Sequence, residues 1–125
     1  MYVPGDKLKM IEKVLTLPAD ESPDIAVLDL EDGVGVENKD LARNNIYSII
    51  ESGKLKTNNH TTFAIRLNGF PFKKMLESDL DTVAECLKVS NYEYPKVINL
   101  SKVQNKNELI KVDNSFLEND HLLKV

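Results

Sequence analysis

DIAVLDLEDGVG, residues 24–35, is the stretch on which the reading of this chain turns. Ile25 to Leu28 form a short apolar run, with Pro23 just before it and carboxylates and glycines just after it. A run without polar alternation suits a strand of a parallel sheet, covered on both faces. In parallel folds the functional groups gather where the chain leaves the C-terminal end of each strand. Asp29, Glu31 and Asp32 therefore mark a strand end where chemistry is expected.

The same rhythm extends to both sides. Tyr2-Val3 reads as a stub of strand closed by Pro4-Gly5, and residues 6–17 read as a helix with Leu8, Met10, Ile11, Val14 and Leu15 on one broad face. Asn38 is placed to cap a helix running to about Ser52, striped by Leu41, Ala42, Ile46, Ile49 and Ile50 and stopped by Gly53. Residues 61–67 (TTFAIRL) predict a strand, and residues 72–87 the most strongly amphipathic helix, through Phe72, Met75, Leu76, Leu80, Val83, Ala84 and Leu87. Residues 96–100 (KVINL) predict a fourth strand and residues 108–117 a weaker last helix. Four βα units in succession predict a parallel sheet with right-handed crossovers. Two architectures fit: a doubly wound open sheet, or the first half of a TIM (β/α)₈ barrel. A complete barrel takes ~250 residues. In the barrel reading residues 1–125 are therefore a single partial domain of about four βα units, with a divergent tail over residues 111–125.

Composition narrows the class. With 42% apolar and 29% charged residues, the chain has the make-up of an ordinary globular domain rather than a disordered segment. A net charge of −4 argues against a nucleic-acid surface. No apolar run reaches the ~20 residues that cross a bilayer, and MYVPGDKLKM shows no targeting peptide. One cysteine makes no internal disulfide, which favours a reducing compartment such as the cytoplasm.

The predicted strand ends are Tyr2-Val3-Pro4-Gly5, Asp29-Leu30-Glu31-Asp32-Gly33, Arg66-Leu67-Asn68-Gly69 and Ser101-Lys102-Val103. Asp29 and Glu31 are two residues apart and point the same way on extended chain. Such a pair repels unless a cation stands by it, and Arg66 supplies one if the second and third strands are neighbours. That arrangement serves either as a structural ion pair at a rim or as a substrate-binding group. Lys9 and Lys13, four residues apart on one helix face, make a small basic patch with Lys7, either simply solvated or facing a phosphate. Cys86 reads as a packing residue, and neither His60 nor His121 has metal-ligand spacing. Gly33-Val34-Gly35 lacks the third glycine of a dinucleotide fingerprint. A receiver-like signalling domain, with Asp29 as phosphoacceptor and Lys102 as its lysine, is the alternative. It needs five strands where four are read, and an acidic pair where the chain has Pro4-Gly5-Asp6.

Tyr2-Val3-Pro4-Gly5, Val27-Leu28-Asp29-Leu30-Glu31-Asp32-Gly33-Val34, Arg66-Leu67-Asn68 and Lys102-Val103, in this order, carry a family resemblance over roughly residues 2–110. The chain resembles the citrate lyase beta-chain and malyl-CoA lyase family of HpcH/HpaI-type aldolases, within its citramalyl-CoA lyase (citrate lyase beta-like) branch. The resemblance implies a (β/α)₈ barrel, Mg²⁺, a homo-oligomer (typically a trimer) and a mitochondrial matrix location. It implies cleavage of a 3-hydroxyacyl-CoA such as citramalyl-CoA or malyl-CoA into acetyl-CoA and a 2-keto acid. It places Arg66 on the substrate carboxylate, Tyr2, Lys9 and Lys13 beside the substrate and CoA, and Asp29, Glu31 and Asp32 in support of the arginine and the metal's surroundings. Two departures stand out. Ser101-Lys102-Val103 replaces the family's Pro-Lys-Val, and the Glu and Asp that bind Mg²⁺ lie on later strands than any matched here. The metal set on this chain is therefore none, and the chain alone is expected to be incomplete and inactive, or a non-catalytic fragment that binds CoA or a partner.

Overall fold

The computed structural model describes residues 1–58 and 60–118. Its order is β1 (Tyr2–Pro4), α1 (Leu8–Leu15), β2 (Ile25–Asp29), α2 (Lys39–Glu51), β3 (Thr62–Leu67), α3 (Lys73–Val89), β4 (Val97–Leu100) and α4 (Lys106–Glu118), with single 3₁₀ turns before α2, β3 and α3. His121 lies outside the described residues. The predicted alternation holds throughout, with element ends displaced by a residue or two.

All strand pairs are parallel and the strand order is β1-β2-β3-β4. This order decides between the two architectures left open by the sequence. A doubly wound sheet reverses direction at a switch point and places helices on both faces. Here each strand is added beside the last, so right-handed crossovers put every helix on the same face, as in an arc of a barrel. It also removes the receiver-like alternative, in which β1 lies inside the sheet between β2 and β3. In this chain β1 is at an edge and β2 pairs directly with β3.

Side chains alternate along each strand, and the core packed against the helices uses one parity. Val3, Ala26, Leu28, Leu30, Phe63, Ile65 and Leu67 pack against Ile11 and Val14 of α1, Ala42, Ile46, Ile49 and Ile50 of α2, and Leu76, Leu80, Val83, Cys86 and Leu87 of α3. Each fully buried large side chain contributes ~1.5–3 kcal/mol. Cys86 packs as expected. Leu8, Met10, Leu41 and Phe72, assigned to the apolar faces, are largely exposed. Each sits at the edge of its stripe, where the neighbouring helix or sheet no longer reaches.

The opposite parity forms rows across the other face. Tyr2, Val27, Ala64 and Val97 are register partners in one row, and Pro4, Asp29, Arg66 and Asn99 in the next. Asn38 precedes α2, but its side chain leaves the helix uncapped and donates to Asp6 Oδ2 at 3.2 Å, tying the β1–α1 loop to α2. Gly53, at φ +75°, ends α2 in the left-handed conformation that glycine adopts without strain.

Candidate functional site

The row Pro4–Asp29–Arg66–Asn99 lies at the C-terminal end of the sheet, and Asp29 and Arg66 are direct register partners. Arg66 Nε donates to Asp29 Oδ1 at 2.8 Å and Nη2 to Oδ2 at 2.7 Å, a bidentate pair. The chain turn after β2 completes the shell: the N–H of Glu31 donates to Oδ1 and that of Gly33 to Oδ2, both at 2.9 Å. A Cβ on residue 33 would stand 2.5 Å from Oδ2, which explains the glycine. Burial pushes the Asp29 carboxyl up, yet the hydrogen bonds from Arg66 and the two backbone N–H groups outweigh it and hold it below the usual carboxylate range.

Glu31 is also buried, and its two oxygens face different cations. Arg66 Nη1 lies 3.4 Å from Oε1, while Lys102 Nζ binds Oε2 and also reaches Asp32 Oδ1 at 3.1 Å. Hydrogen bonds to Glu31 and Asp32 raise the Lys102 ammonium above its ordinary range, and the same lysine lowers Asp32. The Arg66 guanidinium stacks 4.6 Å from the centre of the Tyr2 ring, a cation–π contact. A chain of alternating charge thus runs from β2 across β3 to the end of β4: Asp29, Arg66, Glu31, Lys102, Asp32.

Guanidinium has five N–H donors. Asp29 takes two and Glu31 faces one, which leaves two without a partner among the described residues, on the outer Nη edge of a side chain that is 22% exposed. Arg66 is therefore fixed in place with donors to spare for an incoming carboxylate or oxyanion.

Below this layer lies a second polar network that the sequence reading missed. Asp79 on α3 is wholly buried. Its Oδ1 accepts from Arg43 Nε at 2.8 Å, and its Oδ2 from the Asn68 N–H at 2.8 Å and Asn68 Nδ2 at 2.7 Å. Asn68 Nδ2 and Lys39 Nζ both donate to the Leu30 carbonyl, and Lys39 Nζ also to that of Glu31. These bonds fix the backbone on either side of Glu31 and behind Arg66. One signal was available: Asp79 falls three residues after Leu76 and four before Val83, inside the apolar stripe of α3, and Arg43 falls three before Ile46 in that of α2.

Tyr2, Asp29, Glu31, Asp32 and Arg66 thus come together. Lys9 and Lys13 do not join them: both are exposed on α1, and their ammonium groups make no hydrogen bond or ion pair among the described residues. Nor does the acidic segment suit Mg²⁺. Asp29 is surrounded by four donors and Glu31 by two cations, and no group of three or more His, Cys, Asp or Glu among the described residues is arranged to hold a metal ion.

Comparison with known proteins places this fold. Citramalyl-CoA lyase, mitochondrial, from Rattus norvegicus is 34% identical over 105 residues, covering 83% of this chain and 29% of that protein. The Haloferax volcanii malate synthase, in its lead(II) complex, superposes with a TM-score of 0.80 at 17% identity over 96% of this chain and 35% of its own. RipC from Yersinia pestis superposes with a TM-score of 0.58 at 23% identity, over 95% and 40%. The malate synthase is a TIM barrel, so the four βα units correspond to part of such a barrel. The chain spans about a third of the length of these relatives. Residues 1–122 match the HpcH/HpaI aldolase/citrate lyase profile, and with the rat relative this shows that the chain belongs to the HpcH/HpaI aldolase/citrate lyase family.

Proposed function

We propose that this chain orients a 3-hydroxyacyl-CoA, such as citramalyl-CoA or malyl-CoA, for carbon–carbon cleavage into acetyl-CoA and a 2-keto acid. The observation that carries the reading is Arg66, held by Asp29 at the strand ends with two donors unpaired among the described residues, in a member of a lyase family. In that cleavage the hydroxyl loses its proton and the bond between the hydroxyl-bearing carbon and the CH₂ next to the thioester breaks. The electron pair passes to an enolate of the thioester, which takes up a proton to give acetyl-CoA. Arg66 pairs with the acid group that becomes the 2-keto acid carboxylate and opposes charge developing beside it. Tyr2 backs the guanidinium from the other side, and Asp29 and Glu31 act as positioning residues. Neither is free to serve as the base, because both are already paired with cations.

Mg²⁺ belongs to this reading as a Lewis acid for the developing oxyanion, but these residues do not form its site and no step on this chain runs through it. Lys9 and Lys13 are the residues proposed for the CoA phosphates, and a homo-oligomer, a trimer, in the mitochondrial matrix is the proposed setting. Among the described residues no helix is long and apolar enough to cross a membrane.

Calorimetric titration with citramalyl-CoA, malyl-CoA and free CoA, together with an acetyl-CoA release assay in Mg²⁺, tests the reading. The acyl-CoA is expected to bind about tenfold more tightly than CoA, the value of one charge-assisted contact, and Arg66→Lys to remove that difference. Equal affinity for acyl-CoA and CoA would dispose of the assignment. Binding without acetyl-CoA release identifies a binding fragment; release at an enzyme-like rate shows that these residues suffice.

A further inference from the structure

Glu31 lies between two cations from different strands, and that position has a consequence for Arg66. Its carboxylate is 3% exposed, with Oε1 facing Arg66 Nη1 at 3.4 Å and Oε2 held by Lys102. The Arg66 contact is the looser of the two, longer than either bond that Arg66 makes to Asp29. Lys102 is poised for its part by its backbone: φ is +52°, a conformation that a lysine rarely adopts. From there the side chain runs back across β3, over the Phe72 ring at 5.8 Å, to reach Glu31 and Asp32 at the end of β2.

We propose that Lys102 is a positioning residue that keeps Arg66 available to substrate by drawing Glu31 away from it. Without the ammonium, Arg66 is the one cation still paired with the Glu31 carboxylate among the described residues, since Lys39 is held on backbone carbonyls, and Glu31 closes on the Nη edge of Arg66. That edge carries the two donors on which substrate binding depends, so an internal carboxylate takes the place meant for the ligand. Lys102 thereby sets the preference for a carboxylate-bearing acyl-CoA without touching the substrate. This inference rests on the proposed role of Arg66 and concerns how that role is maintained.

The test uses the full chain with pyruvate as the probe carboxylate. Arg66 Nε–H resonances are followed by NMR in the unmodified chain and in Lys102→Gln, Lys102→Arg, and the double variant Lys102→Gln with Glu31→Gln. Lys102→Gln is expected to move the Arg66 side-chain resonance before any ligand is added, and to weaken pyruvate about tenfold. Lys102→Arg, still cationic, restores both readouts. The double variant, having lost the competing carboxylate, binds pyruvate as well as the unmodified chain does. A merely structural Lys102 predicts the reverse, with the second substitution adding to the damage of the first. An unmoved Arg66 resonance in ligand-free Lys102→Gln, or an additive double variant, overturns the inference while leaving Arg66 as the carboxylate site. Unaltered pyruvate binding in Arg66→Lys, or no saturable binding by the unmodified chain, overturns the site itself and this inference with it.

Discussion

Replacing Asp29 by Asn tests the site where its energetics are clearest. The side chain is 2% exposed and accepts four hydrogen bonds, two from Arg66 and one each from the N–H groups of Glu31 and Gly33. Asn keeps one acceptor oxygen and turns the other into an NH₂ group. Whichever way it lies, that NH₂ meets two donors, one from Arg66 and one from the backbone. The charge that balanced Arg66 is lost as well. Breaking a buried ion pair from one side costs ~3–5 kcal/mol. Arg66 retains Glu31 and Tyr2 and is partly solvated, so the lower end applies, ~3 kcal/mol. A domain is stable by only ~5–15 kcal/mol, so the variant gives up a large share. Urea unfolding at pH 7, followed by circular dichroism, should move the midpoint down by ~1.5 M at a slope of ~2 kcal/mol/M.

The pH dependence adds a second constraint. The Asp29 carboxyl is held below its unfolded range by Arg66 and the two N–H groups, against the upward push of burial. Its contribution is therefore complete above ~pH 4, the unfolded value, and is lost as pH falls through the lower folded value. The gap between the unmodified chain and Asp29→Asn should be constant from pH 7 down to ~pH 5 and shrink below ~pH 4. A midpoint shift under ~0.3 M, or a gap that survives unchanged into strong acid, would refute the reasoning.

Three further outcomes follow from the structure. Asp79→Ala leaves Arg43 and the Asn68 amides without their buried acceptor, so thermal unfolding should show a loss of ~3–5 kcal/mol; a loss under ~1 kcal/mol would mean that water replaces the carboxylate freely. Cys86 is fully buried and desolvation pushes its thiol up to about 12; the native chain should resist a disulfide reagent at neutral pH and react only at its rate of opening, and prompt labelling would contradict the packing. The double substitution Lys9→Ala with Lys13→Ala should weaken CoA by about fivefold at low salt and by less at high salt, whereas equal affinity by calorimetry would strip the pair of its assigned role.

Much of this chain was legible in its sequence because the determining signals are local. Apolar runs at Ile25–Leu28 and Phe63–Ile65 and the helical stripes between them specify βα units, and turn residues mark their ends. The placing of Asp29 and Arg66 at successive strand ends followed from the same pattern, and so did their pairing once the strands were neighbours. Strand order is a non-local property. No periodicity says whether β2 joins β1 on one side or the other, so only the tertiary structure separates the barrel arc from a doubly wound sheet. The same holds for the charges. Arg43 and Asp79 fall within apolar helix stripes, but nothing in the sequence says which partners far along the chain keep them and Lys39 inside, and a buried charge is retained only by such partners. Lys102 acquires its role only when the end of β4 is brought back across β3 to Glu31, 71 residues earlier. The sequence by itself determined which groups gather at the strand ends; the tertiary structure decided which carboxylate each cation holds, and left Arg66 with donors for a ligand.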